Sequence, residues 1–316
     1  MSVERQPRRG AHRPMSTAKL LEVYQGISNW GRWGPEDERG ALNLVTAEVR
    51  RRAAASVRSG TTASLGLPIR STGEAGRNPV SHMLIGGDAA APEGFSQAQD
   101  YFGLVPHGPM YTHLDALCHI FLNGRMYNDR PAALVQSTGA RANDITAAAG
   151  TVTRGVLLDI PPVRGVPYLH PDAPVMPEEL DEAERAAGVE VLPGDAVLIR
   201  LGRQVREAVE PGSGMKDGGM WMAGLHPSCL RWLRDRDVSI LGSDGGSDVI
   251  PTPHAMNMPI HVGALVYLGV HLIDNAALDG LSAACTAESS WSFLFSLGAL
   301  SIPGSTASPV NPVAVL

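Results

Sequence analysis

Three histidines and one aspartate lie within thirteen residues, at His107, His113, Asp115 and His119. Imidazole and carboxylate groups are common ligands of divalent metal ions, and histidine also exchanges a proton near neutral pH. His113 and Asp115 point to the same face of a strand, whereas Asp115 and His119 are one helical turn apart. We therefore expect a strand that ends near His113, followed by a helix with Asp115 as its N-cap. A straight strand would instead separate His113 from His119 by roughly 20 Å.

A surface turn whose polar side chains share no function is the alternative interpretation. The neighbouring side chains are apolar, however, which favours a buried metal or catalytic site; they are Leu114, Ala116, Leu117, Ile120 and Phe121. A second group of polar residues is expected from positions 257–275. There an apolar helix begins at His261 and ends at Gly269, and a strand, VHLI, then leads to Asp274.

The overall composition limits the classes of function. The chain has 316 residues, of which 44% are hydrophobic, and a formal net charge of −6. This acidic balance disfavours non-specific binding to nucleic acid, and the chain has no apolar run long enough to span a membrane. Its three widely separated cysteines indicate no disulfide framework and favour a reducing, cytoplasmic location. We expect residues 1–15 to form a disordered basic tail and residues 16–316 to form a single domain.

Hydrophobic patterns and caps predict a mixed α/β fold. A helix is expected after Ser16 or Thr17, a second from Thr46 to about Val57, and a third over Pro177–Ala187. Short apolar runs predict buried strands at 155–160, 196–202 and 238–244, and residues 81–104 are expected to form a long loop.

Two features within this framework have alternative interpretations. Arg200, inside a predicted strand, needs a carboxylate or carbonyl partner and could contact a substrate or form a structural ion pair. Trp30 and Trp33 lie in an ordered loop and could form a wall of a substrate pocket or anchor the loop to the core.

The segment Thr112-His113-Leu114-Asp115-Ala116-Leu117-Cys118-His119 resembles the His-x-Gly-Thr-His-x-Asp-x-Pro-x-His signature of the family named "putative cyclase". That family includes kynurenine formamidase, isatin hydrolase and related metal-dependent amide and lactone hydrolases. The family's first histidine falls on Pro109, which cannot bind a metal, and its proline falls on Leu117. The resemblance extends over about residues 29–316 and is closest to the longer members of the family.

The resemblance implies a swivelling β/β/α-type fold with a β-barrel-like core and a homodimer or higher homo-oligomer. It implies one or two divalent ions, Zn²⁺ or Mn²⁺, with His113, Asp115, His261 and Asp274 as ligands and His107 as a substitute for the missing histidine. His119 would be the general base and acid. The substrate would be a small amide, imide, ester or lactone. There are two alternatives: a polyketide-type cyclase or dehydratase, and a non-catalytic binding protein on the same scaffold. A serine hydrolase is disfavoured, because the sequence has no Gly-x-Ser-x-Gly elbow.

Overall fold

A curled sheet of nine strands, forming a half-barrel, runs through the computed structural model, which describes residues 14–70, 80–85 and 97–316. The order across the sheet is β1-β17-β15-β9-β10-β13-β14-β4-β16. The strands in chain order are β1 (Thr62–Ser64), β2 (Ser81–Ile85), β3 (Gln99–Gly103), β4 (His113–Asp115), β5 (Arg125–Met126), β6 (Arg130–Pro131), β7 (Val135–Gln136), β8 (Gly139–Ala140), β9 (Thr151–Asp159), β10 (Ala196–Arg200), β11 (Met215–Lys216), β12 (Gly219–Met220), β13 (Ile240–Ser243), β14 (His271–Asp274), β15 (Ser292–Leu297), β16 (Ala307–Pro309) and β17 (Val313–Val315).

The centre of the sheet is parallel, because β9, β10, β13 and β14 run in the same direction, while β15 and β4 lie antiparallel on either side. Such central strands are buried on both faces and therefore read as continuous apolar runs. In β10 the side chains alternate between two cores, with Val197 and Ile199 on one face and Ala196 and Leu198 on the other. The predicted mixed α/β fold with a barrel-like core is confirmed.

Helices cover both faces of this sheet. Buried side chains of α1, α4 and α6 pack in one core, and those of α2 and α8 pack in the other. The helices are α1 (Thr17–Ile27), α2 (Ala47–Ala54), α3 (Ile160–Arg164), α4 (Pro177–Ala187), α5 (Arg203–Val209), α6 (Cys229–Asp235), α7 (Pro259–His261), which continues as a π-helical segment over Val262–Leu268, and α8 (Asp279–Glu288); short 3-10 turns occupy Gly40–Leu44, Tyr127–Asp129, Ala132–Leu134 and Ile145–Ala148.

Three helix starts follow the predicted caps. The Ser16 side chain accepts a hydrogen bond from the Lys19 amide, and that of Thr46 accepts one from the Val49 amide. Pro177 begins α4, as predicted, and Gly188 ends it with a left-handed backbone. These local signals identify the helix boundaries because capping depends on neighbouring residues alone.

The predicted helix after Asp115 is wrong. Asp115 lies within the sheet, opposite Leu272 of β14 on one side and Ala307 of β16 on the other. The next backbone amides bond to other segments: that of Ala116 donates to the Thr306 carbonyl at 2.9 Å, and that of Cys118 donates to the Asn143 carbonyl at 3.1 Å. The chain forms a turn here, because tertiary partners take the donors that a helix would need.

The prediction of one long loop over residues 81–104 is also wrong for its described part. β2 and β3 pair as an antiparallel hairpin with Met83 opposite Tyr101. The side chains of Leu84 and Phe102 are exposed on one face, and those of Met83, Ile85 and Tyr101 on the other. Most of the predicted basic tail, residues 1–13, lies outside the described residues.

Arg200 forms a structural ion pair, which settles one of the two open interpretations. Its guanidinium group lies 2.9 Å from an oxygen of Asp159 and 2.7 Å from one of Asp279. The two carboxylates outweigh the desolvation that would lower the pKa of Arg200, so that pKa is raised. Arg200 therefore joins the ends of β9 and β10 to the start of α8.

His271, at the start of β14, is fully buried, and neither of its ring nitrogens has a hydrogen-bond partner among the described residues. Burial lowers the pKa of this imidazole from 6.5 to about 4, and the nearby Asp115 opposes that effect only in part. The ring is therefore neutral in the folded protein at pH 6, while an exposed histidine in the unfolded chain is already taking up protons.

Acid should destabilise the fold through His271. The contribution of His271 to the free energy of unfolding is fully present above pH 6.5. It is lost as the pH falls from 6.5 towards 4, because the unfolded state then binds more protons than the folded state. Between pH 7 and pH 5 the wild type should lose about 2 kcal/mol more unfolding free energy than His271→Leu, which cannot titrate there. Urea unfolding at the two pH values measures the difference. Equal losses in the two proteins would contradict the assignment.

Candidate metal centre

The predicted site residues meet where β4 pairs with β14 at the carboxyl end of the parallel strands. His113 lies directly opposite Asp274 in this pairing, so the two side chains point to the same face. Asp115 follows two residues later on that face, and His261 approaches from α7. The sheet register therefore fixes three of the four groups, since a shift by one residue would turn them to the opposite face.

His113 presents its Nε2 to the site. Its Nδ1 lies 2.9 Å from the backbone carbonyl of Tyr111. A carbonyl oxygen can only accept, so Nδ1 carries the proton and Nε2 has a free lone pair. That Nε2 lies 3.5 Å from Oδ1 of Asp115.

His261 is oriented in the same way by Asp248. Oδ2 of Asp248 accepts from Nδ1 of His261 at 2.6 Å, and the same carboxylate accepts the backbone amides of Ile260 and His261. The Nε2 atom of His261 then lies 3.5 Å from Oδ2 of Asp115 and 3.4 Å from Oδ2 of Asp274. Burial alone would lower the pKa of His261, but the carboxylates of Asp274 and Asp248 raise it well above its ordinary value. This carboxylate-rich site thus attracts a positive charge.

Asp115 is the central acceptor of the site. It is 1% exposed, and neither of its carboxylate oxygens has an aligned hydrogen-bond donor among the described residues, although His107, His113 and His261 approach within 3.5 Å. Burial raises its pKa, but the surrounding imidazoles outweigh that effect and hold the pKa below its ordinary value. A buried carboxylate needs compensating positive charge, which the neighbouring imidazoles or a bound cation can supply.

The donor set fits a divalent ion. Ligand atoms of His113, Asp115 and Asp274 all lie within 4.8 Å of one another, and Oδ1 of Asp274 is buried without a hydrogen-bond partner in the described structure. Two imidazole nitrogens and two carboxylates are compatible with zinc or manganese. Nε2 of His113 lies 3.5 Å from Oδ1 of Asp115, and Nε2 of His261 lies 3.5 Å from Oδ2 of the same carboxylate, which are separations of the size that metal–ligand bonds near 2 Å imply.

His107 and His119 lie beside this group. Their rings are stacked, with centroids 3.7 Å apart and an angle of 12° between the planes. His107 places Nδ1 3.0 Å from Oδ1 of Asp115, and its Nε2 lies 3.1 Å from the Thr306 hydroxyl. Burial lowers the pKa of His119 to about 4 against the attraction of Asp115, which keeps this imidazole neutral at pH 7. His119 lies close to Asp115 because the chain forms a turn between them, not the predicted helix.

Backbone contacts hold the loop that contains Pro109, at the position of the missing histidine. The Arg203 guanidinium donates to the Pro109 carbonyl at 2.7 Å and to the side-chain oxygen of Asn275. The Asn275 side chain in turn donates to the Gly108 carbonyl at 2.8 Å. Arg203 begins α5, whose first amides bond to Asp244 after β13. The loop is thus tied to the ends of β13 and β14.

A cavity opens above these side chains. One part of its lining is polar, from the histidines and aspartates described above and Asn275. The other part is apolar and consists of Pro109, Met220, Met222, Ile250 and Met258. The cavity can therefore place an apolar group beside the ion-binding atoms.

Trp30 and Trp33 are not among the residues that line this cavity in the described structure. The Trp30 indole donates to the Val266 carbonyl at 2.6 Å and stacks on Tyr267, and both tryptophans pack against the core. These contacts anchor the loop to the core. The role of Trp30 and Trp33 in substrate binding stays a prediction, and neither side chain lines this cavity.

Sequence patterns did not assign roles to Asp248, Arg203, Asn275 or the three methionines. A signal existed for Asp248, since a cluster of serines and aspartates follows the buried run at 238–244. Carboxyl ends of parallel strands commonly carry functional groups. The pairing of Asp248 with His261, thirteen residues later, depends on tertiary structure and leaves no spacing signal.

A family model described as "Putative cyclase" matches residues 55–247, which is more than half of the chain, and the protein belongs to this family. A crystal structure described as a novel cyclase is similar over 93% of this chain and 99% of its own, with a TM-score of 0.82 and 27% sequence identity. None of the curated proteins matches the chain.

Isatin hydrolases share the fold at lower identity. Isatin hydrolase A from Ralstonia solanacearum aligns over 85% of this chain and 95% of its own, with a TM-score of 0.57 and 19% identity. An isatin hydrolase bound to the product analogue thioisatinate aligns over 83% of this chain and 94% of its own, with a TM-score of 0.58 and 17% identity. Within the described part of this chain, the helices are too short or too polar to cross a membrane.

Asp248→Asn should weaken metal binding without unfolding the protein. An amide nitrogen facing His261 would favour a proton on Nε2, the atom that faces Asp115 and Asp274, and so would obstruct ligation. We expect a 10- to 100-fold loss of affinity for zinc or manganese, the usual effect of removing such a partner. Competition with a chelator measures the affinity.

The matched control for Asp248→Asn is Asp195→Asn. Asp195 is also a buried carboxylate, but it pairs with Arg154 beside the amino end of β10. This variant should keep the wild-type metal affinity even if it lowers the melting temperature. Equal affinity in Asp248→Asn and wild type would show that Asp248 does not orient a ligand.

Proposed function

We propose that this member of the cyclase family is a metal-dependent hydrolase that cleaves a small amide, imide, ester or lactone. The observation that carries the proposal is the buried Asp115 carboxylate, which lacks aligned donors while Nε2 atoms of His113 and His261 approach it at 3.5 Å. His113, Asp115, His261 and Asp274 would hold one Zn²⁺ or Mn²⁺ ion. His107, which was predicted as a substitute ligand, is not part of this set.

The ion, when bound, would lower the pKa of water towards neutrality and polarise a carbonyl group. The protein's own residues supply the rest of the chemistry. Tyr111 and Asp248 keep the protons of His113 and His261 on Nδ1, so that both Nε2 atoms face the site. Asp115 and Asp274 neutralise the bound charge, and burial excludes competing solvent from these groups.

His119 is the residue placed to move a proton. Its ring lies beside Asp115 on the cavity wall and is neutral at pH 7. A neutral ring nitrogen can take a proton from the attacking water and give it to the leaving nitrogen or oxygen. The predicted role of this histidine as general base and acid agrees with its position.

The cavity lining favours a small substrate with one apolar side. Met220, Met222 and Met258 are unbranched and adapt to different shapes, and they line the same cavity as the polar residues. An isatin hydrolase of this fold binds thioisatinate, a product analogue. For this reason cyclic amides belong in the first panel of test substrates, together with aryl esters and lactones.

Two other functions remain to be separated from hydrolysis. A polyketide-type cyclase or dehydratase would use the same ion but release water from its substrate rather than consume it. A non-catalytic binding protein would show no turnover, and Pro109 in place of a ligand favours that alternative. Two measurements distinguish the hydrolase, the cyclase or dehydratase and the binding protein. They are the metal content after purification and the masses of the products.

Cys118, Cys229 and Cys285 are buried and unpaired, in keeping with the proposed cytoplasmic location.

We also propose a homo-oligomer, at least a dimer, in which a second copy covers the β2–β3 hairpin. Its large apolar side chains are more than half exposed on both faces, and a two-stranded hairpin alone is only marginally stable in water. The double variant Leu84→Glu, Phe102→Glu should be a monomer in light scattering. Val209→Glu, at an equally exposed apolar position on α5, should keep the wild-type assembly. A monomeric wild type would contradict the proposal.

His113→Ala and His119→Ala should separate metal binding from proton transfer. His113→Ala should lose both the ion and the activity, because it removes a ligand. His119→Ala should keep the ion and lower kcat by roughly 10²- to 10⁴-fold, the usual contribution of acid–base catalysis. Metal analysis and hydrolysis of the substrate panel measure the two effects. Loss of the ion in both variants would make His119 a ligand, and full activity in His119→Ala would remove it from the mechanism.

A further inference from the structure

Three histidines of the site, His113, His261 and His119, differ in what orients their rings. His113 is held by a hydrogen bond to the Tyr111 carbonyl, and His261 is held by Asp248. For His119 the described structure records no hydrogen bond at either ring nitrogen. Its recorded ring contact is the stack on His107, at 3.7 Å. A proton-transferring histidine normally has a carboxylate or carbonyl that fixes its ring, and His119 lacks one.

We infer that His107 is a positioning residue, whose stacked ring fixes the plane of the His119 ring over the site. The inference rests on the proposed function, because it assigns His119 the proton transfer. It concerns a residue that lies two positions before Pro109 and therefore outside the four matched positions of the family signature.

His107 is itself held from the edge of the sheet. Its Nε2 lies 3.1 Å from the Thr306 hydroxyl, and the carbonyl of Thr306 accepts the Ala116 amide at 2.9 Å. Its Nδ1 lies 3.0 Å from Asp115 on the other side of the ring. Gly108 and Pro109, the next two residues, are held by Asn275 and Arg203. The ring is thus held by the Thr306 hydroxyl at one nitrogen and through its backbone, and Asp115 lies close to the other nitrogen.

The stacking geometry also prevents His107 and His119 from sharing one ion. Imidazole binds a metal along a lone pair in the ring plane, at about 2.0 to 2.1 Å. The two stacked rings lie in nearly parallel planes, inclined by 12°, so an ion in the plane of one ring lies out of the plane of the other. Although ligand atoms of His107, Asp115 and His119 lie within 4.8 Å of one another, the two imidazoles do not converge on an ion.

Two substitutions at position 107 separate a support from a ligand. His107→Ala removes the ring and both nitrogens, whereas His107→Phe keeps a flat ring and removes only the nitrogens. In the metal-loaded enzyme we expect His107→Ala to lower kcat by about 10- to 100-fold, with metal content and KM little changed, because a misplaced base costs that much. His107→Phe should recover most of this loss.

A double variant tests whether His107 acts through His119. In a His119→Ala background, the further change His107→Ala should lower kcat by less than about twofold, because the residue to be positioned is already absent. Thr306→Val, which keeps the shape but removes the hydroxyl, should lower kcat in the same direction as His107→Ala, and Thr306→Ser should recover it.

Crystal structures of the two variants give a measurement that does not depend on activity. The His119 ring should adopt several orientations in His107→Ala and a single one in His107→Phe. If no substrate of the panel is hydrolysed by the wild type, the proposed function fails, yet the ring orientations still decide the present inference.

Three results would overturn the inference. Loss of the metal in both His107→Ala and His107→Phe would make His107 a ligand. An equal fall of kcat in the two variants, with the metal retained, would show that a nitrogen rather than the stack is responsible. A single His119 orientation in His107→Ala would show that the ring needs no support.

Discussion

The structure of the site depends on one buried negative charge. Asp115 is the last residue of β4, a strand with hydrogen-bonded neighbours on both sides, and it is almost without exposure to water. Transferring a carboxylate from water to such a place is costly unless other groups compensate for the charge. No backbone amide or hydroxyl does so in the described structure, and the groups that approach it are imidazoles. Positive charge at this point, on a protonated imidazole or a bound cation, therefore stabilises the buried carboxylate.

The charges around Asp115 are arranged so that each imidazole has a different task. Asp248 and the Tyr111 carbonyl bind Nδ1 of two rings, which leaves their Nε2 atoms as acceptors. Within the described structure, no carboxylate or carbonyl binds a ring nitrogen of His119, and burial lowers the pKa of this ring so that it is neutral at pH 7. In the proposed function, identical side chains would become ligands or a base according to the partner at the second nitrogen. The excess of carboxylates explains why a proton on His261 is favoured when no ion competes for the site.

The sequence predicts the parts of this arrangement that depend on local patterns. Buried strands appear as apolar runs, and α1, α2 and α4 begin at their predicted caps. Spacing predicts that His113 and Asp115 share one face, whereas the ligand role of His261 comes from the family resemblance and stays a prediction. The same spacing also predicted a helix after Asp115, which is wrong, because the sheet and the Asn143 carbonyl take the backbone donors. His119 nevertheless lies near Asp115, since a tight turn, like a helix, keeps residues four apart close together.

Contacts between distant segments could not be predicted in this way. Asp248 acts on His261, Arg203 holds the Pro109 carbonyl, and Thr306 holds His107; each pair depends on the sheet order rather than on spacing. The hairpin over β2 and β3 was interpreted as a loop, because its glycine-rich surroundings hide two short strands. Such features require the fold to be known first.

The register between β4 and β14 couples these local and distant features. It places His113 opposite Asp274, so both strands must keep their pairing for the donor set to exist. Asn275 follows at once, with a left-handed backbone that asparagine tolerates well, and its side chain reaches back to the loop before β4. One strand pair thus fixes a ligand from each strand, and through Asn275 it also fixes the loop that contains Pro109 and His107. These contacts to the backbone hold the loop in place at the position where the family signature has a histidine and this chain has Pro109.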